Sequence, residues 1–359
     1  MNQQTKTQTV HDNPMALDGF EFVEFASPTP DALAQTFIKM GFSKIAKHRS
    51  KNVTLFRQGQ INFIINEEPN THAAEFSKAH GPCACAMAFR TKDAQKAFDM
   101  AISKGAKPYL DGTIGPGELA IPAIYGIGDS LLYFVDKYQT ETIYDTDFIA
   151  LPNVNQQPEG EGLEVIDHLT HNVYQGEMDK WAHFYKDIFN FFEIRYFDIT
   201  GEKTGLVSYA LSSPCGKIKI PLNESKDDKS QITEYLNEYK GEGIQHIALT
   251  TAHIYGTIEK LRTRGLNFLS TPDTYYEMIR DRVKGHHEDI ARMQKNQILI
   301  DGEVINNEEK ILLQIFTENV IGPIFFEIIQ RKGNEGFGEG NFRALFLAIE
   351  RDQMRRGVL

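Results

Sequence analysis

Ala84-Cys85-Ala86-Met87-Ala88-Phe89, then Thr91 and a helical pattern that stops at Gly105, matches Ile244-Gln245-His246-Ile247-Ala248-Leu249, then Thr251 and a helical pattern that stops at Gly265. The offset is constant, 84 against 244 and 105 against 265. In each copy an apolar strand hands over to amphipathic spacing, and the glycine stands where a left-handed helix C-cap is expected. Self-similarity at a fixed offset marks a repeated structural unit. A weaker pair joins Phe20 to Phe42 with Val165 to Phe191, where a β-rich run precedes helices carrying Leu33, Phe37 and Met40, and Trp181, Tyr185 and Ile188. The repeat therefore predicts four strand–helix units.

Short β-rich runs follow the helices: Val53 to Phe56 with Ile61 to Ile65, Ser130 to Val135, Val207 to Leu211, and Ile311 to Phe316 with Ile324 to Ile329. Each unit reads as βαβββ. A doubly wound parallel sheet would alternate strand and helix regularly, so an α+β fold of paired βαβββ modules forming open barrels fits better. At 359 residues the chain is also too long for one ordinary core. The expected organisation is a tail over 1–15, an N-terminal domain over 16–137, a linker over 138–161 and a C-terminal domain over 162–359. Gln, Asn, Pro and Gly gather in the linker from Leu151 onward. Tyr275 to Asn307, charge-rich and containing His286 and His287, reads as a solvated helix and turn that lengthens the fourth unit.

Hydrophobic residues at 41% and charged residues at 24% describe a folded globular chain rather than a disordered or fibrous one. A net charge of -11 argues against a general nucleic-acid binder, which needs a Lys- and Arg-rich face for phosphates. The basic stretch Arg351 to Arg356 reads as compensation of a helix dipole. No apolar run approaches the roughly eighteen residues of a membrane span, and Met1 to Pro14 lacks a signal-peptide core. A cytoplasmic protein with no membrane partner is expected. Cys83, Cys85 and Cys215 form no CxxC pair, so neither a disulfide framework nor a zinc ribbon is supported.

Three residues stand out chemically. Val165-Ile-Asp-His-Leu-Thr-His-Asn-Val173 reads as a strand, on which His168 and His171 face opposite ways, so only one can point inward. His246 lies in the second strand quoted above. Glu327 sits inside Ile324-Phe-Phe-Glu-Ile-Ile329, where a lone carboxylate is costly unless paired, protonated or bound to a cation. Two imidazoles and a carboxylate are the ligand set of non-haem iron(II) oxygenases, with one face of the octahedron open. Taken singly, each histidine also reads as a satisfied core histidine, and Glu327 as the partner of Arg331 or Arg343. The repeat bears on this choice: the N-terminal copy has Ala86 in place of His246 and an aromatic near Tyr133 in place of Glu327. A structural role would be expected in both copies, whereas a single active site needs only one.

The segments Ile166-Asp-His-Leu-Thr-His-Asn-Val, Gly241-Glu-Gly-Ile-Gln-His-Ile-Ala-Leu, Leu312-Leu-Gln-Ile-Phe-Thr, Phe325-Phe-Glu-Ile-Ile-Gln-Arg-Lys-Gly and Gly336-Phe-Gly-Glu-Gly-Asn-Phe-Arg-Ala-Leu-Phe resemble the 4-hydroxyphenylpyruvate dioxygenases, a family of the vicinal oxygen chelate superfamily. The resemblance is dense in the C-terminal half and mainly architectural in the N-terminal half. It implies one Fe(II) per chain held by His168, His246 and Glu327, with His171 outside. It also implies Ser208, Asn223, Gln231 and Gln314 as polar groups around the substrate. Phe316, Phe325, Phe337 and Phe342 would be aromatic walls, and Asn341 would start a C-terminal lid helix over 341–355. Glycines 333, 336, 338 and 340 lack the GxGxxG order of a nucleotide loop and suit the base of such a lid.

The activity so implied is oxidative decarboxylation, ring hydroxylation and side-chain migration of 4-hydroxyphenylpyruvate with O₂ to give homogentisate, within tyrosine and phenylalanine catabolism. The substrate carries its own keto acid, so no 2-oxoglutarate is needed. A homodimer or homotetramer is implied as well. Three alternatives stay open: hydroxymandelate synthase on the same substrate, an extradiol catechol dioxygenase, and a metal-free binding or resistance protein on the same modules. The bulk of Phe316 favours ring hydroxylation over the synthase.

Overall fold

Each βαβββ unit is built so that its first strand ends up parallel to its last. In the computed structural model, which describes residues 11–110, 112–200, 205–228, 230–341 and 344, the first unit is β1 (Phe20–Ala26), α1 (Pro30–Lys39), β2 (Ser43–His48), β3 (Val53–Gln58) and β4 (Ile61–Asn66). Helix α2 (His72–His80) leads to β5 (Cys83–Arg90), α3 (Ala94–Ser103), β6 (Pro108–Tyr109), β7 (Ala123–Tyr125) and β8 (Leu131–Val135). Helix α4 (Ile143–Asp147) and β9 (Phe148–Ala150) follow. Nine strands form one sheet in the order β6-β7-β8-β5-β1-β4-β3-β2-β9.

The C-terminal half repeats the pattern with β10 (Ile166–Val173), α5 (Met178–Phe189), β11 (Phe192–Thr200), β12 (Gly205–Ser212) and β13 (Lys219–Ser225), then α6 (Gln231–Tyr239). Its second unit is β14 (Gly243–Thr250), α7 (Ile254–Thr263), the short helices α8 (Asp273–Glu277), α9 (Ile279–Arg282) and α10 (Ile290–Asn296), then β15 (Leu299–Ile305), β16 (Glu308–Phe316) and β17 (Phe325–Lys332). The sheet order is β11-β12-β13-β10-β14-β17-β16-β15. In both halves the two units join through their first strands, β1 with β5 and β10 with β14, which run antiparallel. The expected βαβββ modules of the vicinal oxygen chelate fold are all present.

Local chemistry sets the element ends. Pro30 and Asp31 open α1, and Asp93 caps α3 by accepting from the Lys96 amide. Gly105 and Gly265 both take positive φ, +97° and +82°, at the stops after α3 and α7, a conformation that a side chain would strain. Alternation along β10 then sorts its side chains. Leu169 and Val173 join the main apolar core beneath the helices, while His168, Thr170 and Asn172 face the other way. His171 falls on the helix side, fully buried.

Two expectations need correction. The stretch 138–161 is a linker only in part: Ile143 and Tyr144 of α4 are buried in the N-terminal half, and β9 pairs with β2 at the sheet edge. The polar composition that suggested a linker begins only at Leu151. Likewise Tyr275 to Asn307 is not simply solvated. Tyr275, Tyr276, Ile279, Val283 and Met293 are buried against the core, and the charged residues between them, Arg282 and Glu288 apart, cover the outside. Phe342 and most of the proposed lid over 341–355, with Arg343 and the basic run to Arg356, lie outside the described residues, as do residues 1–10 of the tail. No helix among the described residues is long and apolar enough to cross a membrane.

Candidate metal centre and active site

Register places the three candidate ligands. His168 on β10 lies opposite Ala248 on β14, and Ala248 lies opposite Glu327 on β17, while His246 pairs with Thr170. Opposed residues share a sheet face, so His168, His246 and Glu327 all point to the same inner side. Their ligand atoms fall within 4.8 Å of one another. Oε2 of Glu327 is 3.1 Å from Nε2 of His168 and 3.5 Å from Nε2 of His246.

A pair of β-bulges equips this triad. The register shift between Ile166 and His168 makes Asp167 an extra residue, and the shift opposite Thr170 and His171 does the same for Gln245. A bulge re-aims side chains away from strict alternation. Asp167 Oδ2 consequently lies 2.8 Å from Nδ1 of His168, and Gln245 Oε1 lies 3.1 Å from Nδ1 of His246. Each acceptor engages Nδ1, which leaves Nε2, on the side of Glu327, as the nitrogen that would bind a metal once it gives up its proton. The residues present thus fit a divalent metal: two imidazole nitrogens and a carboxylate oxygen converge, and their other polar atoms are already engaged.

Electrostatics agree. Burial opposes ionisation of Glu327, but the bonds and charges of His168 and His246 outweigh it and hold the carboxyl at about 2. Burial works against Asp167 too, yet the Arg331 guanidinium and His168 keep its pKa far below the ordinary carboxylate range. Arg331 donates to both oxygens of Asp167, at 2.8 and 2.7 Å, rather than pairing with Glu327. It also donates to the carbonyls of Asn334 and Gly336, tying the glycine-rich segment to the centre.

The surrounding residues gather unevenly. Phe337 lies edge-on to His168 with centroids 5.2 Å apart, Phe325 stacks on His246 at 5.0 Å, and Phe316 stands 6.5 Å from His246. Gln314 donates from Nε2 to Glu327 Oε1 at 3.2 Å, and Asn341 donates to Gln314 Oε1 at 2.9 Å. Ser208 pairs with Asn223, and Asn223 with Asn172, forming a polar row across β12, β13 and β10 on the triad's face. Gln231 is exposed on the first turn of α6, and no hydrogen bond joins it to the others. Sequence reasoning missed Asp167 and Gln245, because strict alternation turns a ligand's neighbour to the opposite face, and it offered Arg331 to Glu327, whereas the structure pairs it with Asp167.

The N-terminal half supplies the contrast. Its β1–β5 pair carries the same two register shifts, yet Phe22, Ala86 and Tyr133 occupy the positions of His168, His246 and Glu327. Its interior is filled by Phe22, Ile45, Leu55, Ile64, Ala88 and Val135, with Tyr133 packed against them. The copy keeps the geometry and has no ligands.

Comparison with known proteins gives the family. Residues 11–149 match the family described as hydroxyphenylpyruvate dioxygenase, N-terminal, and residues 165–284 match the glyoxalase/bleomycin resistance protein/dioxygenase superfamily. The chain is 57% identical to a 4-hydroxyphenylpyruvate dioxygenase of Pseudomonas aeruginosa, over 97% of each chain. It is 58% identical to the protein named hemolysin VllY of Vibrio vulnificus, over 97% of this chain and 98% of that one. A solved variant of 4-hydroxymandelate synthase from Streptomyces coelicolor shares the fold, with a TM-score of 0.80 and 24% identity over 94% of this chain and 100% of that one. With the first two likenesses spanning nearly its whole length, the chain belongs to the 4-hydroxyphenylpyruvate dioxygenase family.

Proposed function

We propose that the protein converts 4-hydroxyphenylpyruvate and O₂ to homogentisate and CO₂, with one Fe(II) per chain held by His168, His246 and Glu327, in tyrosine and phenylalanine catabolism. The observation that carries this reading is the convergence of two Nε2 atoms and one Oε2 at the inner face of β10, β14 and β17. Bound there, Fe(II) would supply a Lewis-acidic and redox-active centre with an open face for the keto acid and O₂. The reaction balances without a co-substrate, since one oxygen atom ends in the new acetate carboxyl, the other in the ring hydroxyl, and the old carboxyl leaves as CO₂.

The chain's own residues orient and shield. Phe316, Phe325 and Phe337 form apolar walls that keep water from the reacting ring; the same role is proposed for Phe342, which lies outside the described residues. Ser208 and Asn223 hold the phenol by neutral hydrogen bonds, Gln231 from the first turn of α6 is assigned to the same task, and Gln314 sets the carboxylate ligand. No charged acid or base beside the ring is required. The bulk of Phe316, opposite Glu327 in register, restricts rotation of the substrate and favours attack on the ring over the benzylic carbon. Association into a homodimer or homotetramer accompanies this reading.

The test is anaerobic reconstitution with Fe(II), addition of 4-hydroxyphenylpyruvate and O₂, and chromatography of the product, with His246→Ala as control. Homogentisate from the parent alone supports the assignment. Hydroxymandelate would move it to the synthase reaction. A parent that binds iron yet consumes no O₂ would overturn the substrate.

A further inference from the structure

A continuous line of hydrogen bonds runs from the segment Tyr275 to Asn307 to the candidate metal ligand. Arg282 Nη2 donates to Asn341 Oδ1 at 2.8 Å, to Tyr275 Oη at 3.0 Å and to the carbonyl of Ile300, and its guanidinium lies over the Tyr275 ring. Tyr275 Oη also reaches Asn341 Oδ1, at 2.6 Å. Asn341 Nδ2 then donates to Gln314 Oε1 at 2.9 Å, and Gln314 Nε2 to Glu327 Oε1 at 3.2 Å.

The direction of this line is not free. An amide side chain can be read either way round, but a guanidinium only donates. Arg282 therefore requires the oxygen of Asn341 on its own side, which turns the Asn341 amide nitrogen to Gln314 and the Gln314 nitrogen to Glu327. Tyr275, Asn341, Gln314 and Glu327 are all buried, at 2% exposure or less, so water is not at hand to substitute for a reversed partner. Nor can Gln314 swing aside, because Gly338 packs so closely on its amide that even a Cβ there would overlap it.

We propose that Arg282 is a positioning residue that fixes the polarity of the Asn341 and Gln314 amides, so that Oε1 of Glu327 is held by the protein and only Oε2 is offered to the metal. The inference rests on the iron-dependent reading above and adds to it a count of coordination positions. One oxygen from Glu327 and the two histidine nitrogens leave half an octahedron open. That half is what a chelating keto acid and O₂ together need, and a carboxylate free to bind through both oxygens would take one of those positions. Arg282 contacts neither ligands nor substrate and acts through two amides.

Asn341→Asp tests the polarity at nearly constant shape. One of its oxygens still accepts from Arg282 and Tyr275, but the other now faces Gln314, which must turn its nitrogen to Asp and its oxygen to Glu327. Arg282→Met removes the fixed donor, and Tyr275→Phe leaves it in place. The readouts are melting of the metal-free protein, metal affinity by titration, and anaerobic binding of 4-hydroxyphenylpyruvate to the Fe(II)-loaded protein through its charge-transfer absorption. Expected for Asn341→Asp and Arg282→Met is retained metal with keto-acid affinity weakened by roughly tenfold or more, and for Tyr275→Phe less than about a threefold change, in line with other outer-shell partners. Parent-like keto-acid binding in Asn341→Asp overturns the proposal, and that variant decides the matter if Arg282→Met does not fold. A parent that binds Fe(II) but shows no keto-acid absorption indicts the substrate reading instead.

Discussion

Asp167 Oδ2 lies 2.8 Å from Nδ1 of His168, and both oxygens of Asp167 are held by the Arg331 guanidinium. The carboxylate fixes the imidazole tautomer and makes Nε2 a better donor. Asp167→Asn keeps the shape and removes the charge. It should weaken metal binding by roughly tenfold to a hundredfold, measured by competition against a coloured chelator. The melting temperature of the metal-loaded protein should fall with it.

The interior of the N-terminal half has a different duty. Phe22 stands where His168 stands in the other half and packs into an apolar plug. Phe22→Ala should cost about 3–5 kcal/mol of stability by denaturant unfolding while leaving metal affinity of the folded protein unchanged. Loss of metal binding at constant fold would contradict the division of labour between the halves.

The alignment of the two halves was legible from Ala84 to Phe89 against Ile244 to Leu249, because period-two strands, amphipathic helices and capping glycines recur in the same order. The candidate ligands were legible for a related reason: histidines and a carboxylate appear in one copy where Phe22, Ala86 and Tyr133 stand in the other. Their support was not. Asp167 and Gln245 adjoin the histidines in sequence, but only the bulges, which no periodicity announces, turn them inward. Arg282 and Tyr275 were hidden within a charge-rich stretch most of whose charges lie outside, so that nothing in the pattern marks Arg282 as turning inward to the aromatic residues. The pairing of Asn341 with Arg282 joins two distant segments and exists only in the fold. Strand β9 escaped notice because three residues are too few to show a pattern.

Gly338 has φ +79°, and a side chain there would also overlap the Gln314 amide. Both effects act in the same direction. Gly338→Ala should destabilise the protein by more than about 1 kcal/mol and displace Gln314, seen as weaker keto-acid binding to the metal-loaded protein. A variant with parent-like melting and binding would show that this segment does not brace Gln314.

His171 titrates in the opposite sense to a salt-bridged histidine. Burial pushes it down to about 4, with the Leu169 carbonyl opposing and the His246 charge adding to the shift. In the unfolded chain it takes a proton near pH 6.5. The unfolded state thus binds more protons between those values, and folding stability should fall as pH drops through that window, by up to about 3 kcal/mol. At higher pH His171 contributes no slope. Chemical denaturation of the parent and of His171→Gln across pH 4 to 7 should show a shallower acid decline in the variant, and parallel curves would refute the assignment.

Metal content is the most direct test of the three-residue centre. Purified protein loaded anaerobically with Fe(II) and freed of excess should hold one iron per chain, and His168→Ala, His246→Ala and Glu327→Ala should each hold almost none while remaining folded. Stoichiometric iron in all three variants would place the metal elsewhere and contradict the account.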